Sequence, residues 1–399
     1  MPVKLLINKL DNDGRGITYY NNKIMFVNNS LPKEIIDVDN IEDHHKYYVG
    51  NNVGISESSE NRVLPKCPYY NLCGGCNIMH MGYEYQHEYK LNKVQDILKK
   101  YGNITKEVKF IPSNKELFYR NKIELKVINN KWGYYKNSTH HLCEIDLCLL
   151  ASNAINDIIN IEYLFNIKDG NITIRSNYLN EILIIIESDN KVDITYDKLP
   201  SNIKGIVLNN KTIYGSNYFY DMIGDYKFKV TYNSFFQINN YIANEIFKIL
   251  NNNLEGNRVL DLYCGIGTMG LSLKDKFKEI YGIEIVSNAI EDAKVNAKEN
   301  NIENVHYYTG NTNDVLNEIK TSFDAVILDP PRSGLNKETM DLLLNMKTKQ
   351  IAYISCNPIT LARDLKVLNN YNITSLYALD MFPNTHHVET VAVLKLKDK

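Results

Sequence analysis

Long apolar runs are missing from these 399 residues. The longest strongly apolar stretch, Ile182 to Ile186, is far too short to cross a bilayer. No secretory signal is legible either, because Lys4, Asn8 and Lys9 interrupt the opening residues. Membrane association is not expected, and a cytoplasmic location is. A basic excess is also lacking: 45 Lys and Arg face 47 Asp and Glu, a net charge of −2. No overall field attracts polyanions, so any nucleic-acid site must be local. Trp occurs once and Ala is sparse, whereas Tyr occurs 29 times, a bias we read as AT-rich coding rather than function. Seven Cys without a secretory signal argue for metal binding or catalysis over disulfides. The length suits two or three domains with ample core.

The chemistry gathers near the C-terminus. Ala325 to Leu328 and Ile351 to Ile354 have the length and composition of buried parallel strands. Each stops in a polar turn, Asp329-Pro330-Pro331-Arg332-Ser-Gly334 and Ser355-Cys356-Asn357-Pro358-Ile-Thr360. In an open α/β sheet, ligands bind outside the carboxyl ends of such strands, which places Asp329 and Cys356 where chemistry is expected. Asn357 suits a helix N-cap and Pro358 the first helical position. The thiol of Cys356 is then expected at a helix N-terminus, where the dipole favours thiolate. A lone Cys at a strand end is more often a small packed residue, and the surrounding motif reverses that reading.

Upstream, Val259-Leu-Asp261-Leu-Tyr263-Cys264-Gly265-Ile-Gly267-Thr-Met-Gly270 reads as strand, Gly-rich turn and helix, and Ile280 to Glu284 as the next strand. Glu284 follows Gly265 by 19 residues, a spacing at which an acid can hold ribose hydroxyls. Gly265-x-Gly267-x-x-Gly270 also fits a dinucleotide fingerprint, so an NAD-dependent oxidoreductase is the rival.

Asp-Pro-Pro-Arg-x-Gly, Ser-Cys-Asn-Pro-x-Thr and the tail Pro383-Asn-Thr385-His-His387-Val-Glu389 together resemble the RNA uracil-C5 methyltransferase family. One small departure is Ala352, where the family usually has a larger aliphatic residue. The resemblance is dense from Gly256 to the end and looser before Cys67. It implies a Rossmann-like α/β S-adenosylmethionine methyltransferase domain over 231–399, a central α+β domain with iron–sulfur and RNA-binding segments over 61–230, and an OB-like β-barrel of the TRAM kind over 1–60. It assigns Cys356 as nucleophile and Glu389 as base. Gln237, Tyr263, Gly265, Glu284, Asn311 and Asp329 fall to the cofactor, and Arg332 to phosphate contact or to locking the Asp329 loop.

The residues ahead of that domain fit this plan. Residues 1–60 alternate in short strand-like segments separated by turn clusters such as Asp11 to Gly16. Six Lys and Arg against nine Asp and Glu leave this part near −3, which suits docking nearly as well as RNA contact. Cys67, Cys73 and Cys76 follow, with a Gly pair between the last two that allows a tight turn. Three close thiolates need a fourth ligand, from Cys143 or Cys148. The resemblance favours Cys148 and a 4Fe–4S cluster, while zinc is the chemical rival. Glu84 to Lys136 carries twelve Lys and Arg against six Asp and Glu, interleaved with aromatics. Its segment Phe118-Tyr119-Arg120-Asn121-Lys122 resembles a family motif ahead of RNA-facing strands, and cations with aromatics suit phosphate contact and base stacking.

The expected activity is methylation of uracil C5 in 23S ribosomal RNA, with transfer RNA as the alternative within the family. A non-catalytic RNA-binding protein is disfavoured by the Cys356 and Glu389 pair. DNA is not an expected partner, and a monomer is expected.

Overall fold

Both apolar runs ahead of the polar turns are neighbouring parallel strands of one large sheet. The computed structural model describes residues 2–137, 139–319 and 321–398. The sheet is built from β1 (Lys109–Ile111), β2 (Gly256–Leu262), β3 (Phe277–Glu284), β4 (Val305–Thr309), β5 (Ala325–Leu328), β6 (Gln350–Ser355), β7 (Tyr371–Leu379) and β8 (Glu389–Leu396). Their order is β4-β3-β2-β5-β6-β8-β7-β1. The strands from β4 to β6 are all parallel, whereas β8 runs antiparallel to both β6 and β7. A doubly wound dinucleotide-binding sheet is expected to continue in parallel through the order 3-2-1-4-5-6. The antiparallel strand inserted beside β6 departs from that plan and argues against the nicotinamide rival.

Local chemistry explains these elements. All of β5 is buried, so an uninterrupted Ala-Val-Ile-Leu run is what both covered faces require. The helix Asn240–Asn253 begins at Asn239, whose side chain accepts from the Ile242 amide. The helix Pro358–Val367 begins as its sequence requires, with Asn357 accepting from the Ile359 amide at 3.1 Å and Pro358 in the first turn.

The chain divides into two compact units. One comprises Met1–Lys93, Tyr134–Cys143 and Phe382–His387. Its first part is a six-stranded mixed sheet over Val3–Glu57, the β-rich element expected there, with Ile7, Met25, Val27, Ile36 and Val38 as its core. The short tail segment is held within this unit. Lys90 and Lys93 donate to the carbonyls of Phe382 and His386 at 3.0 and 2.8 Å, and Gln86 exchanges hydrogen bonds with Asn384. Lys90 is fully buried and burial holds Lys93 down at about 8. These two lysines of the basic stretch therefore bind protein carbonyls and form no solvated face.

The second unit comprises Val94–Gly133, Glu144–Met381 and Val388–Lys399. Besides the large sheet it holds a smaller one in which Lys122–Ile128, Asp169–Ser176, Ile182–Glu187, Ile203–Leu208 and Lys211–Gly215 are successive neighbours. No helix among the described residues is long and apolar enough to cross a membrane.

Candidate active site

Five consecutive strand ends carry the site. β2 runs into Tyr263, Cys264 and Gly265, β3 ends at Glu284, β4 leads to Asn311, β5 leads to Asp329 and β6 leads to Cys356. The turn after β2 needs left-handed backbone at Tyr263 (φ 64°), Gly265 (φ 53°) and Gly267 (φ 85°). Glycine takes such angles without strain. A methyl group added at Gly265 would meet nothing within 4 Å, so the turn opens onto free space. At Gly267 the same addition would strike the Tyr307 hydroxyl.

This turn is fitted to a ligand. Glu284 takes the Gly265 amide on one carboxylate oxygen at 3.2 Å and the Val286 amide on the other at 3.0 Å. Ile285 and Val286 beside it are exposed apolar residues, suited to the face of a flat ring. Asp261 accepts from the Gly270 amide at 2.8 Å through one oxygen, while its other oxygen is buried without a partner. A buried polar atom without a partner is costly and points to a group that completes it. Burial pushes Asp261 up to about 8, with Asp329 and Glu284 adding to the shift. S-adenosylmethionine has the parts this cradle lacks: an adenine, ribose hydroxyls and an ammonium group. Asn311 stands exposed, where its side chain caps the helix Thr312–Glu318 by accepting from Asn313. Gln237 is buried on the loop before Asn240, and its carbonyl accepts from Asn121 at 2.9 Å.

Cys356 and Glu389 are brought to one sheet edge by strand register. Ser355 at the end of β6 lies opposite Thr390 in β8. Thr390 also donates its hydroxyl to the Ser355 carbonyl at 2.7 Å. One step beyond this rung the two chains carry Cys356 and Glu389. Asp329 and Arg332 complete the group, because both act on the charge of the other two. Glu389 is buried, and burial, then the Asp329 charge, holds its carboxyl well above the usual range; the Thr390 amide and Arg332 pull the other way. Burial pushes Asp329 itself up to about 7.

Cys356 does not follow the expectation of a lowered thiol. Burial and then Glu389 push it above its ordinary value, Arg332 opposes them by charge and hydrogen bonding, and Asp329 adds a smaller upward push. Desolvation penalises the charged form more than one helix end offsets.

The loop bearing Arg332 is clamped by the helix that follows Cys356. The Arg332 carbonyl accepts from the side chains of Asn357 and Thr360 at 3.1 and 3.3 Å. Arg363 reaches the carbonyls of Ser333 and Leu335, and buried Asp364 takes the Leu335 amide and the Tyr353 hydroxyl. The spacing Asn357-x-x-Thr360-x-x-Arg363-Asp364 on one helix was the signal for this clamp, and reading for reactive groups alone passed over it.

The expected 4Fe–4S cluster finds no support in the described residues. Among the described residues no group of three or more His, Cys, Asp or Glu is arranged to hold a metal ion. Cys67, Cys73 and Cys76 belong to the first unit and Cys148 to the second. The Cys73 sulfur accepts from the Gly75 amide at 3.3 Å, and Asn156 fixes the backbone of Cys148 by accepting at 2.8 Å from its amide and donating at 3.1 Å to its carbonyl.

A sheet of this order, with a ligand turn after β2, defines an S-adenosylmethionine-dependent methyltransferase fold. The comparisons agree. Residues 201–397 match the tRNA (uracil-5-)-methyltransferase family. An uncharacterized RNA methyltransferase of Clostridium tetani is 33% identical, over 98% of this chain and 95% of its own. Another from Aquifex aeolicus is 34% identical, over 100% and 99%. The crystal structure of Pyrococcus abyssi tRNA (uracil-54, C5)-methyltransferase in complex with S-adenosyl-L-homocysteine superposes with a TM-score of 0.80 at 28% identity, covering 98% of this chain and 99% of that one. The chain belongs to the RNA uracil-C5 methyltransferase family and is an RNA methyltransferase.

Proposed function

We propose that this enzyme methylates C5 of a uracil in RNA, with S-adenosylmethionine as donor, through a covalent bond between Cys356 and C6. The observation carrying the reading is the Ser355–Thr390 rung, which brings Cys356 and Glu389 beside Asp329 and a cofactor cradle.

Uracil C5 is a weak nucleophile. Addition of the Cys356 thiolate to C6 breaks the C5–C6 double bond and moves its electron pair toward C5 and the O4 carbonyl. S-adenosylmethionine supplies an electrophilic methyl group. Once C5 carries it, Glu389 takes the remaining C5 proton, the double bond reforms and the Cys356–C6 bond breaks, releasing product. Arg332 stabilises the thiolate before attack. Asp329 and Gln237 orient the polar edge of the base. The base must be unstacked to reach these groups.

For the substrate class we propose 23S ribosomal RNA, on the combination of sequence motifs before residue 231. Transfer RNA is the second reading, favoured by the likeness to the Pyrococcus abyssi enzyme, whose substrate is tRNA. The enzyme with labelled S-adenosylmethionine, given unmodified ribosomal and transfer RNA separately, decides. Label in 5-methyluridine of ribosomal RNA supports the first reading, label only in transfer RNA replaces it with the second, and no label in either with the cofactor bound removes the proposal.

A further inference from the structure

A buried cation lies on the smaller sheet, outside the machinery described above. In the strand Lys122–Ile128, every second residue faces one way. Ile123, Leu125 and Val127 enter the apolar core, while Lys122, Glu124 and Lys126 face the other side. The neighbouring strand Asp169–Ser176 runs antiparallel, with Arg175 directly opposite Lys122 and Thr173 opposite Glu124. Two cations therefore face each other across one rung. Like charges so placed repel.

Arg175 is only 5% exposed, and its Nε is buried without a partner. One terminal nitrogen donates to the Ser234 carbonyl at 2.5 Å. Among the described residues neither Arg175 nor Lys122 forms an ion pair. A desolvated guanidinium without a counter-charge is strongly unfavourable. Burial holds Arg175 down at about 10, and burial and Arg175 together lower Lys122. Glu124 and Glu187 act on Lys122 in the opposite sense; both carboxylates are exposed, and Lys126 is engaged by Asn171 at 2.6 Å.

The position of the pair points to the kind of ligand it suits. Ser234 opens the segment to Gln237, whose Phe235 is 68% exposed. Asn121, the chain neighbour of Lys122, also binds this segment, donating to the carbonyls of Gln237 and Ile238 at 2.9 and 3.2 Å. Arg175 thus bonds the segment that leads to Gln237, and Lys122 faces Arg175 across the rung. We infer that Lys122 and Arg175 form a phosphate-binding subsite that holds the RNA backbone next to the target uridine. This rests on the RNA substrate proposed above. A guanidinium anchored by one nitrogen on a carbonyl and a half-buried ammonium facing it suit one anionic group between them.

Filter binding of unmodified tRNA and 23S rRNA transcripts across a potassium chloride series tests this, with cofactor binding and melting followed in parallel. Lys122→Ala, at a half-buried position on the sheet face, is expected to weaken RNA binding several-fold at low salt. It should lower the slope of log K against log salt by about one, with cofactor affinity and melting unchanged. Arg175→Lys, which keeps the charge but not the fork, is expected to weaken binding with a smaller change in slope. Wild-type slope and affinity in both variants would overturn the subsite while leaving the methyltransferase reading intact. Wild-type enzyme that binds cofactor but neither RNA would overturn the reading and the subsite together. Stabilisation by inorganic phosphate over chloride at matched ionic strength, lost in Lys122→Ala without any change in RNA slope, would assign the pair to a free anion and overturn the RNA assignment.

Discussion

Ser355 and Thr390 are paired twice, as opposite residues of β6 and β8 and through the Thr390 hydroxyl on the Ser355 carbonyl at 2.7 Å. An antiparallel strand starts where its neighbour ends. Cys356, leaving β6, and Glu389, opening β8, therefore arrive at the same edge of the sheet although 33 residues separate them. The proposed nucleophile and base are placed by one rung of backbone.

Removing either member of the pair should stop the reaction at a different stage. Cys356→Ala is expected to abolish methyl transfer while leaving cofactor binding at the wild-type level. Glu389→Gln is expected to let the covalent RNA–enzyme complex accumulate, visible as a slow band on a denaturing gel. Full turnover in the alanine variant would remove Cys356 from the mechanism, and normal turnover with only free RNA would remove Glu389.

Thiol reactivity should report the electrostatics directly. The midpoint of the pH profile for alkylation of Cys356 is expected above the ordinary cysteine value, because burial and Glu389 both raise it. Glu389→Gln should lower this midpoint by deleting the carboxylate, and Arg332→Gln should raise it by deleting the opposing cation. Shifts in the reverse directions would contradict the placement of both residues.

The cofactor-free enzyme should lose stability as pH rises. Asp261 in the folded protein keeps its proton up to about 8, against an ordinary value of 3.8, and Asp329 up to about 7. Between the ordinary and the folded values the native state binds more protons than the unfolded chain. The stabilising contribution is complete below about pH 4 and is lost as pH climbs through about 7 to 8. Melting temperature over this range should fall in the wild type and fall less in Asp261→Asn. An equally steep fall in the variant would show that Asp261 does not contribute.

The Arg332 clamp should be measurable by its loss. Asp364 is buried and accepts from the Tyr353 hydroxyl at 2.6 Å and the Leu335 amide at 2.9 Å. Asp364→Ala leaves both donors unsatisfied and should cost about 2–4 kcal/mol in denaturant unfolding. Gly334→Ala combines a φ of 75° with a new carbon 2.6 Å from the Arg363 and Asp364 side chains. It should destabilise by about 1–3 kcal/mol and slow methyl transfer, since Arg332 sits in the same loop. Wild-type stability in both variants would argue against the clamp.

Much of this protein was legible in its sequence because the signals are local. An apolar run of strand length, a cap such as Asn357-Pro358 or a Gly that must turn left-handed needs only its neighbours to declare itself. These signals located β2, β3, β5 and β6, the ligand turn after β2, and the ends bearing Asp329 and Cys356. Resemblance in the tail added Glu389. Three outcomes depended on the folded chain, because each is a sum over residues distant in sequence. Sheet order fixed β8 as the antiparallel partner of β6 and so excluded the all-parallel alternative that Gly265-x-Gly267-x-x-Gly270 had left open. Enclosure raised Cys356 where the helix end alone argued for lowering it, since desolvation is set by every atom packed around the sulfur. The spacing of Cys67, Cys73 and Cys76 suggested a metal site, but a coordination sphere is a matter of angstroms in three dimensions, and none is found among the described residues. Lys90 and Arg175 make the same point for charge: composition counts a cation, and only the tertiary structure decides whether it meets water, a carbonyl or an anion.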